Sequence, residues 1–244
     1  MARFRAVFFD LDGTLWDKAA CSDYAMEIVL PDLMAHLPNL DRDEILLEFN
    51  AMLLDSVLEG GIEGWQSGTR TARFEKLLRD CSVHKEGLAR DLSKKYEQAF
   101  WFSMRGFLRN SAPWVLQQLR KRGLVVGVIT NGSPAAQRHV LEGLGLEEHL
   151  DHIVISEVEG MEKPDARLFK RALALADCEP QEMLYIGDSL ITDVLGASRA
   201  AVPVAWLKEP EQELQEGLPA PDFIIEDLRQ VLAIVDSPPP ADEA

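Results

Sequence analysis

The chain has 244 residues, 47% of them hydrophobic, with 25 Lys and Arg against 41 Asp and Glu and a formal net charge of −16. That length supports a sizeable core, either as one large domain or as a core carrying an insert. The acidity argues against a nucleic-acid partner, whose phosphates are met by Lys and Arg. It also means that a phosphate-bearing ligand needs positive charge concentrated at its site. Cys21, Cys81 and Cys178 form no CxxC pair and read as free thiols in a reducing compartment. No apolar run reaches membrane-spanning length, and the opening Met-Ala-Arg-Phe-Arg carries no secretory pattern. The expectation is a soluble cytoplasmic protein without a membrane partner, monomeric or homodimeric.

In chain order, Arg5–Asp10 is a short apolar run that ends at polar residues and Gly13, the pattern of a buried strand followed by a turn. Similar runs recur at Leu124–Thr130, His152–Ser156, Met183–Gly187, Pro203–Leu207 and Asp222–Ile225. Apolar strands without alternation suit a parallel sheet covered on both faces. Helices are expected between them: one from Ser111-Ala-Pro113 to Gly123, one from Ser133-Pro134 to Gly145, and one from Asp165 to about Asp177. Strand and helix in alternation predict an α/β fold, a doubly wound parallel sheet with right-handed crossovers. The stretch from Trp16 to Arg109 breaks the alternation and reads as an all-helical insert. Leu46, Phe49, Met52, Leu53 and Val57 fall near helical spacing, and further helices are expected over Thr69–Asp80 and Lys85–Met104. Tyr96, Trp101 and Phe102 read as packing within this insert. The resulting division is a core of 1–15 and 110–236, a helical segment of 16–109, and a proline-rich disordered tail of 237–244.

Polar residues gather at the carboxyl ends of four strands, where open α/β sheets bind ligands. The first end supplies Asp10-Leu-Asp12-Gly13-Thr14. Two carboxylates on so tight a turn repel unless a cation separates them or they divide acid and nucleophile roles; solvated turn acids are the alternative. The second end supplies Thr130-Asn131-Gly132-Ser133, whose free N–H groups at a helix start favour an anion or serve an ordinary cap. The third supplies Lys163, a surface lysine or a neutraliser of phosphate or carboxylate. The fourth supplies Gly187-Asp188-Ser189 and then Asp193, which on its own reads as a helix N-terminal acid. Asp10 and Asp188 together offer hard oxygen ligands suited to Mg²⁺. Each signal is weak alone, and the ordered conjunction of four carries the reading.

That conjunction resembles the haloacid dehalogenase-like superfamily, over Phe8 to Leu207. The resemblance implies a Rossmann-like core with the helical insert as a cap, and the first strand between the second and fourth. It implies Asp10 as nucleophile and Asp12 as general acid and base, with Thr130, the Asn131 and Gly132 amides and Lys163 holding the phosphoryl group. Mg²⁺ is expected on Asp10, the Asp12 carbonyl and Asp188, with Asp193 in support. Asp12 stands where the family's true dehalogenases lack an acid, which is similar to the phosphatase pattern. The expected activity is Mg²⁺-dependent hydrolysis of a small-molecule phosphate ester, such as a nucleotide, a sugar phosphate or a phosphoglycolate-like compound, through an aspartyl-phosphate. A phosphosugar mutase is the alternative, followed by a haloacid dehalogenase or a non-catalytic binding module. Within the insert, Arg70 and Arg73 lie three apart on one helical face and are candidates for an anionic or sugar part of the substrate, with Trp65 as a stacking platform; solvated arginines and simple packing are the alternative. Gly13, Gly60, Gly61 and Gly106 are candidate hinges.

Overall fold

The computed structural model describes residues 3–49 and 67–237. The chain divides into two compact units, one formed by Met1–Lys18 with Leu108–Ala244 and the other by Ala19–Phe107. Met52, Leu53, Val57, Gly60, Gly61, Trp65 and the proline-rich tail lie outside the described residues.

The first unit is built on a six-stranded sheet: β1 (Ala6–Phe9), β2 (Val125–Thr130), β3 (His152–Ile155), β4 (Met183–Gly187), β5 (Val204–Leu207) and β6 (Phe223–Ile225). The order is β3-β2-β1-β4-β5-β6, and every pairing is parallel. This is the expected doubly wound sheet, with β1 at its centre between β2 and β4. β1 is buried along its whole length, as a strand covered on both faces must be. Side chains alternate across a strand, so Ala6 and Phe8 enter one core cluster with Ile129, Leu168, Phe169, Tyr185 and Trp206. Each large side chain so removed from water contributes about 1.5–3 kcal/mol. The helix Ala112–Lys121 packs on β2 through a face that buries Ala112, Val115, Leu116 and Leu119.

Local chemistry sets the helix ends. Ser133 caps Pro134–Leu144, its hydroxyl accepting from Ala136 N at 3.3 Å, and Gly145 closes it in the left-handed region. Asp165 caps Ala166–Ala176 by accepting from Arg167 N at 2.9 Å. These caps start both helices within one residue of the sequence expectation.

The second unit is helical throughout its described residues, apart from connecting turns. Helices Lys18–His36, Ser67–Asp80 and Leu88–Ser103 are joined by a helical stretch at residues 42–49, and a 3₁₀ turn Met104–Phe107 ends the unit. Ser67–Asp80 packs against Leu88–Ser103, and Phe49 meets Phe74 with ring centroids 4.8 Å apart. Lys18–His36 falls within the expected helical insert, although the sequence reading gave no separate bounds for it. Pro31 lies inside it, and Tyr24, Ile28 and Met34 on its outer side are exposed, so the apolar pattern is spread around the helix. Phe102 corrects the sequence reading. It is 93% exposed, whereas Phe100 is buried, because residues two apart on a helix point to opposite sides. No helix among the described residues is long and apolar enough to cross a membrane.

Gly187 ends β4 where the chain has no room for a side chain. A Cβ there would stand 2.4 Å from both Cβ and Cγ of Asp193, a fully buried acid of the following turn. Gly187→Ala is therefore expected to cost about 1–3 kcal/mol through overpacking. Chemical denaturation measures this directly, and an unchanged midpoint would mean that Asp193 does not sit against the strand end.

Candidate active site

The parallel register brings three separated motifs to one edge of the sheet. Phe9 is level with Val128 of β2 and Ile186 of β4, so the chain leaves all three strands at similar height. Asp10 follows β1, Thr130 ends β2 and Asp188 follows β4. The Asp10 backbone N–H donates to the Ile186 carbonyl at 2.8 Å, which holds the first acid in line with the strands. Lys163 arrives by a longer route, through β3, the short helix Ser156–Glu159 and a left-handed Gly160.

Lys163 is the junction of the site. Its ammonium donates to Asp10 Oδ1 at 2.5 Å, Asp193 Oδ1 at 2.6 Å and the Tyr185 hydroxyl at 3.0 Å. It is 3% exposed. Burial alone would lower its pKa, but Asp10 and Asp193 outweigh this and raise it, so the ammonium stays charged. Asp10 is also pushed well up, first by burial and then by Asp193, Asp188 and Asp12, against the lowering effect of Lys163. Asn131 fixes the lysine backbone from both sides: its side chain donates to Lys163 O at 3.1 Å and accepts from Lys163 N at 2.8 Å.

Asp188 is held by the Thr14 hydroxyl, which donates to Oδ1 at 2.8 Å, while the Trp206 indole donates to the Asp188 carbonyl at 2.9 Å. Burial and Asp193 push its carboxyl up to about 6, with the Thr14 bond and Lys163 opposing. Gly13 makes this approach possible. Its φ of +92° suits glycine, and a Cβ would stand 2.5 Å from Asp188 Oδ2. Ligand atoms of Asp10, Asp188 and Asp193 all lie within 4.8 Å of one another. Three carboxyl groups thus face one ammonium, and their clustered oxygens are a donor set that fits a hard divalent cation. Asp193 belongs to this set as well as accepting from Lys163.

The Asp12 carboxylate lies apart from that cluster. It accepts from Trp16 Nε1 at 2.9 Å, Lys18 Nζ at 2.7 Å and Gln137 Nε2 at 3.2 Å. Gln137 also donates to Thr130 Oγ1 at 2.5 Å and the Asn131 carbonyl at 2.9 Å, so one amide ties the first motif to the second. Gly132 differs from expectation: its N–H donates to Ser156 Oγ at 3.0 Å and is already engaged. Arg70 and Arg73 lie in the helical unit. Arg70 pairs with Glu97 at 3.2 Å over the Tyr96 ring, and Arg73 lies over Phe49.

Sequence reasoning missed Thr14, Trp16, Lys18, Gln137 and Tyr185. Thr14 is part of the first motif. Gln137 sits in the first turn of the helix after Asn131, where a side chain points back toward the strand end. Tyr185 lies two residues before Gly187 on an apolar strand, where only its hydroxyl marks it.

Comparison with known proteins shows the family and the fold. The sequence model of the haloacid dehalogenase-like hydrolases matches residues 4–201. The glyceraldehyde 3-phosphate phosphatase of Pyrococcus furiosus is 29% identical over 245 residues, covering 97% of this chain and 95% of that protein. The phosphoserine phosphatase of Thermus thermophilus is 34% identical over 158 residues, covering 64% and 63%. Among solved structures, the putative hydrolase YfnB from Bacillus subtilis, bound to magnesium, superposes with a TM-score of 0.75 at 22% identity, over 96% of this chain and all of that one. With a family match across four-fifths of its length and the fold to accompany it, the chain belongs to the haloacid dehalogenase-like hydrolases.

Proposed function

We propose that this protein is a phosphatase that releases phosphate from small-molecule phosphate monoesters, with Asp10 as nucleophile and the helical unit as its cap. The observation that carries the reading is the buried ammonium of Lys163 between Asp10 and Asp193 at the tips of the central strands. The names of the relatives support the reaction class, since two of them are phosphatases of small esters.

In this reading a carboxylate oxygen of Asp10 attacks phosphorus and forms an aspartyl-phosphate, and the bond to the leaving oxygen breaks. Asp12 gives that oxygen a proton. It then takes a proton from the water that attacks the aspartyl-phosphate, which returns Asp10 and frees phosphate. The bonds around Asp12 support the second half most directly. Indole and ammonium groups are donors only, so a carboxyl that accepts from Trp16, Lys18 and Gln137 is in the form that takes a proton. Lys163 offsets negative charge gathering at phosphorus. Thr130 is tied through Gln137 to Asp12, which suits a hydroxyl that orients the phosphoryl group. Asn131 acts through Lys163 by fixing its backbone.

Asp10 and Asp188, with the Asp12 carbonyl and Asp193 in support, are the residues that would hold Mg²⁺. When bound, such an ion shields the nucleophile from the phosphate and polarises the phosphoryl oxygens. The donor set fits it because carboxylate oxygens outnumber the available positive charge.

The direct test is a panel of phosphate monoesters incubated with Mg²⁺ or with chelator, read as free phosphate. The expected result is release with Mg²⁺ only, falling at least about a thousandfold in a folded Asp10→Asn variant. Activity retained in Asp10→Asn would refute the nucleophile, and phosphate passed between sugars without release would favour a mutase.

A second expectation concerns stability and pH. The folded-state pKa values of Asp10 and Asp188 lie above their unfolded values. The metal-free protein therefore holds their contribution below about pH 4; it loses that of Asp188 as pH rises through about 6 and that of Asp10 as pH rises through its own raised pKa. Mg²⁺ binds the ionised forms, so the rise in Tm that it gives over chelator is expected to be larger at pH 8 than at pH 5. An equal or larger rise at pH 5 would contradict the carboxylate site.

A further inference from the structure

The helical unit contains a buried charge that the proposed core chemistry does not use. Arg73 is 9% exposed. Its guanidinium lies over the Phe49 ring at 4.8 Å, and its buried Nε has no hydrogen-bond acceptor. No ion pair is formed by Arg73 among the described residues. One turn earlier, Arg70 stacks on Tyr96 with 4.6 Å to the ring centroid and pairs with Glu97 through Nη1 at 3.2 Å, while its Nε is also buried and without an acceptor. Burial and the charge of Arg70 both lower the pKa of Arg73. The Tyr96 hydroxyl, hydrogen-bonded to Ser22, lies in the field of both guanidinium groups.

Two like charges three apart on a helix repel, and an unpaired charge taken out of water is costly however well it stacks. The Glu97 carboxylate neutralises one of the two. Among the described residues, a single positive charge and the two Nε–H donors remain without a partner, on groups whose planar fork matches a two-oxygen acceptor. The charge balance favours a monoanion over a phosphate group, which carries more charge near neutral pH.

We propose that Arg70, Arg73 and Tyr96 form a carboxylate-binding subsite within the helical unit. Its ligand is a small free carboxylate, held by the helical unit on its own.

The test uses the full-length protein with sodium glycolate as probe against sodium chloride at equal ionic strength. Glycolate is expected to raise the Tm of the wild type, and Arg73→Gln to weaken the apparent affinity about tenfold or more. Arg73→Met guards against a folding defect. It removes a buried charge that has no ion pair among the described residues, so it is expected to melt no lower than the wild type in chloride and to show no glycolate effect. A glycolate shift that is absent, or equal in wild type and both variants, overturns the subsite.

Discussion

The ammonium of Lys163 is the interaction on which the site depends. It is buried between Asp10 and Asp193 and touches the Tyr185 hydroxyl, so one side chain joins the ends of β1 and β4 to the segment after β3. A buried lysine without partners would lose its proton, and buried acids without a counter-charge would keep theirs. Each makes the charged form of the other tenable. The surrounding details serve that contact. Gly187 leaves room for Asp193, Asn131 pins the backbone of Lys163, and the parallel register sets Asp10 level with its neighbours.

Such an arrangement is incomplete in charge. One ammonium cannot balance Asp10, Asp188 and Asp193; burial first, and then the neighbouring acids, raise the pKa values of Asp10 and Asp188. The clustered oxygens of these three acids are a donor set that fits a cation. Asp12 is handled differently, because Lys18, Trp16 and Gln137 satisfy its carboxylate locally. Two acids two residues apart therefore stand in unlike surroundings.

The sheet was legible because its strands carry uninterrupted apolar runs, and the helices around it because Ser133, Gly145, Asp165 and Gly123 mark their ends. The strand tips were legible because an acid, a hydroxyl or a lysine follows each run. The reach of side chains across the fold was less accessible. Nothing local marks Gln137 as the link between Asp12 and Thr130, or Tyr185 as a partner of Lys163, since each is one polar residue in an ordinary helix or strand. The N–H of Gly132 was expected to face an anion, but Ser156, 24 residues later, takes it. The bounds of Lys18–His36 were hidden by an internal proline and by exposed apolar side chains on its outer face. Periodicity reports which residues are apolar and cannot report which of them remain in water.

The central claim is that the buried contact between Lys163 and Asp193 holds the site together. A double-mutant cycle with Lys163→Met and Asp193→Asn, followed by equilibrium unfolding in the presence of chelator, measures that contact directly. Each single variant leaves a buried charge without its partner and is expected to lose about 3–5 kcal/mol. The double variant is expected to lose less than the sum of the two, by about 2–3 kcal/mol. Losses that simply add would show that the two side chains do not support each other, and the account of the site would fail at its centre.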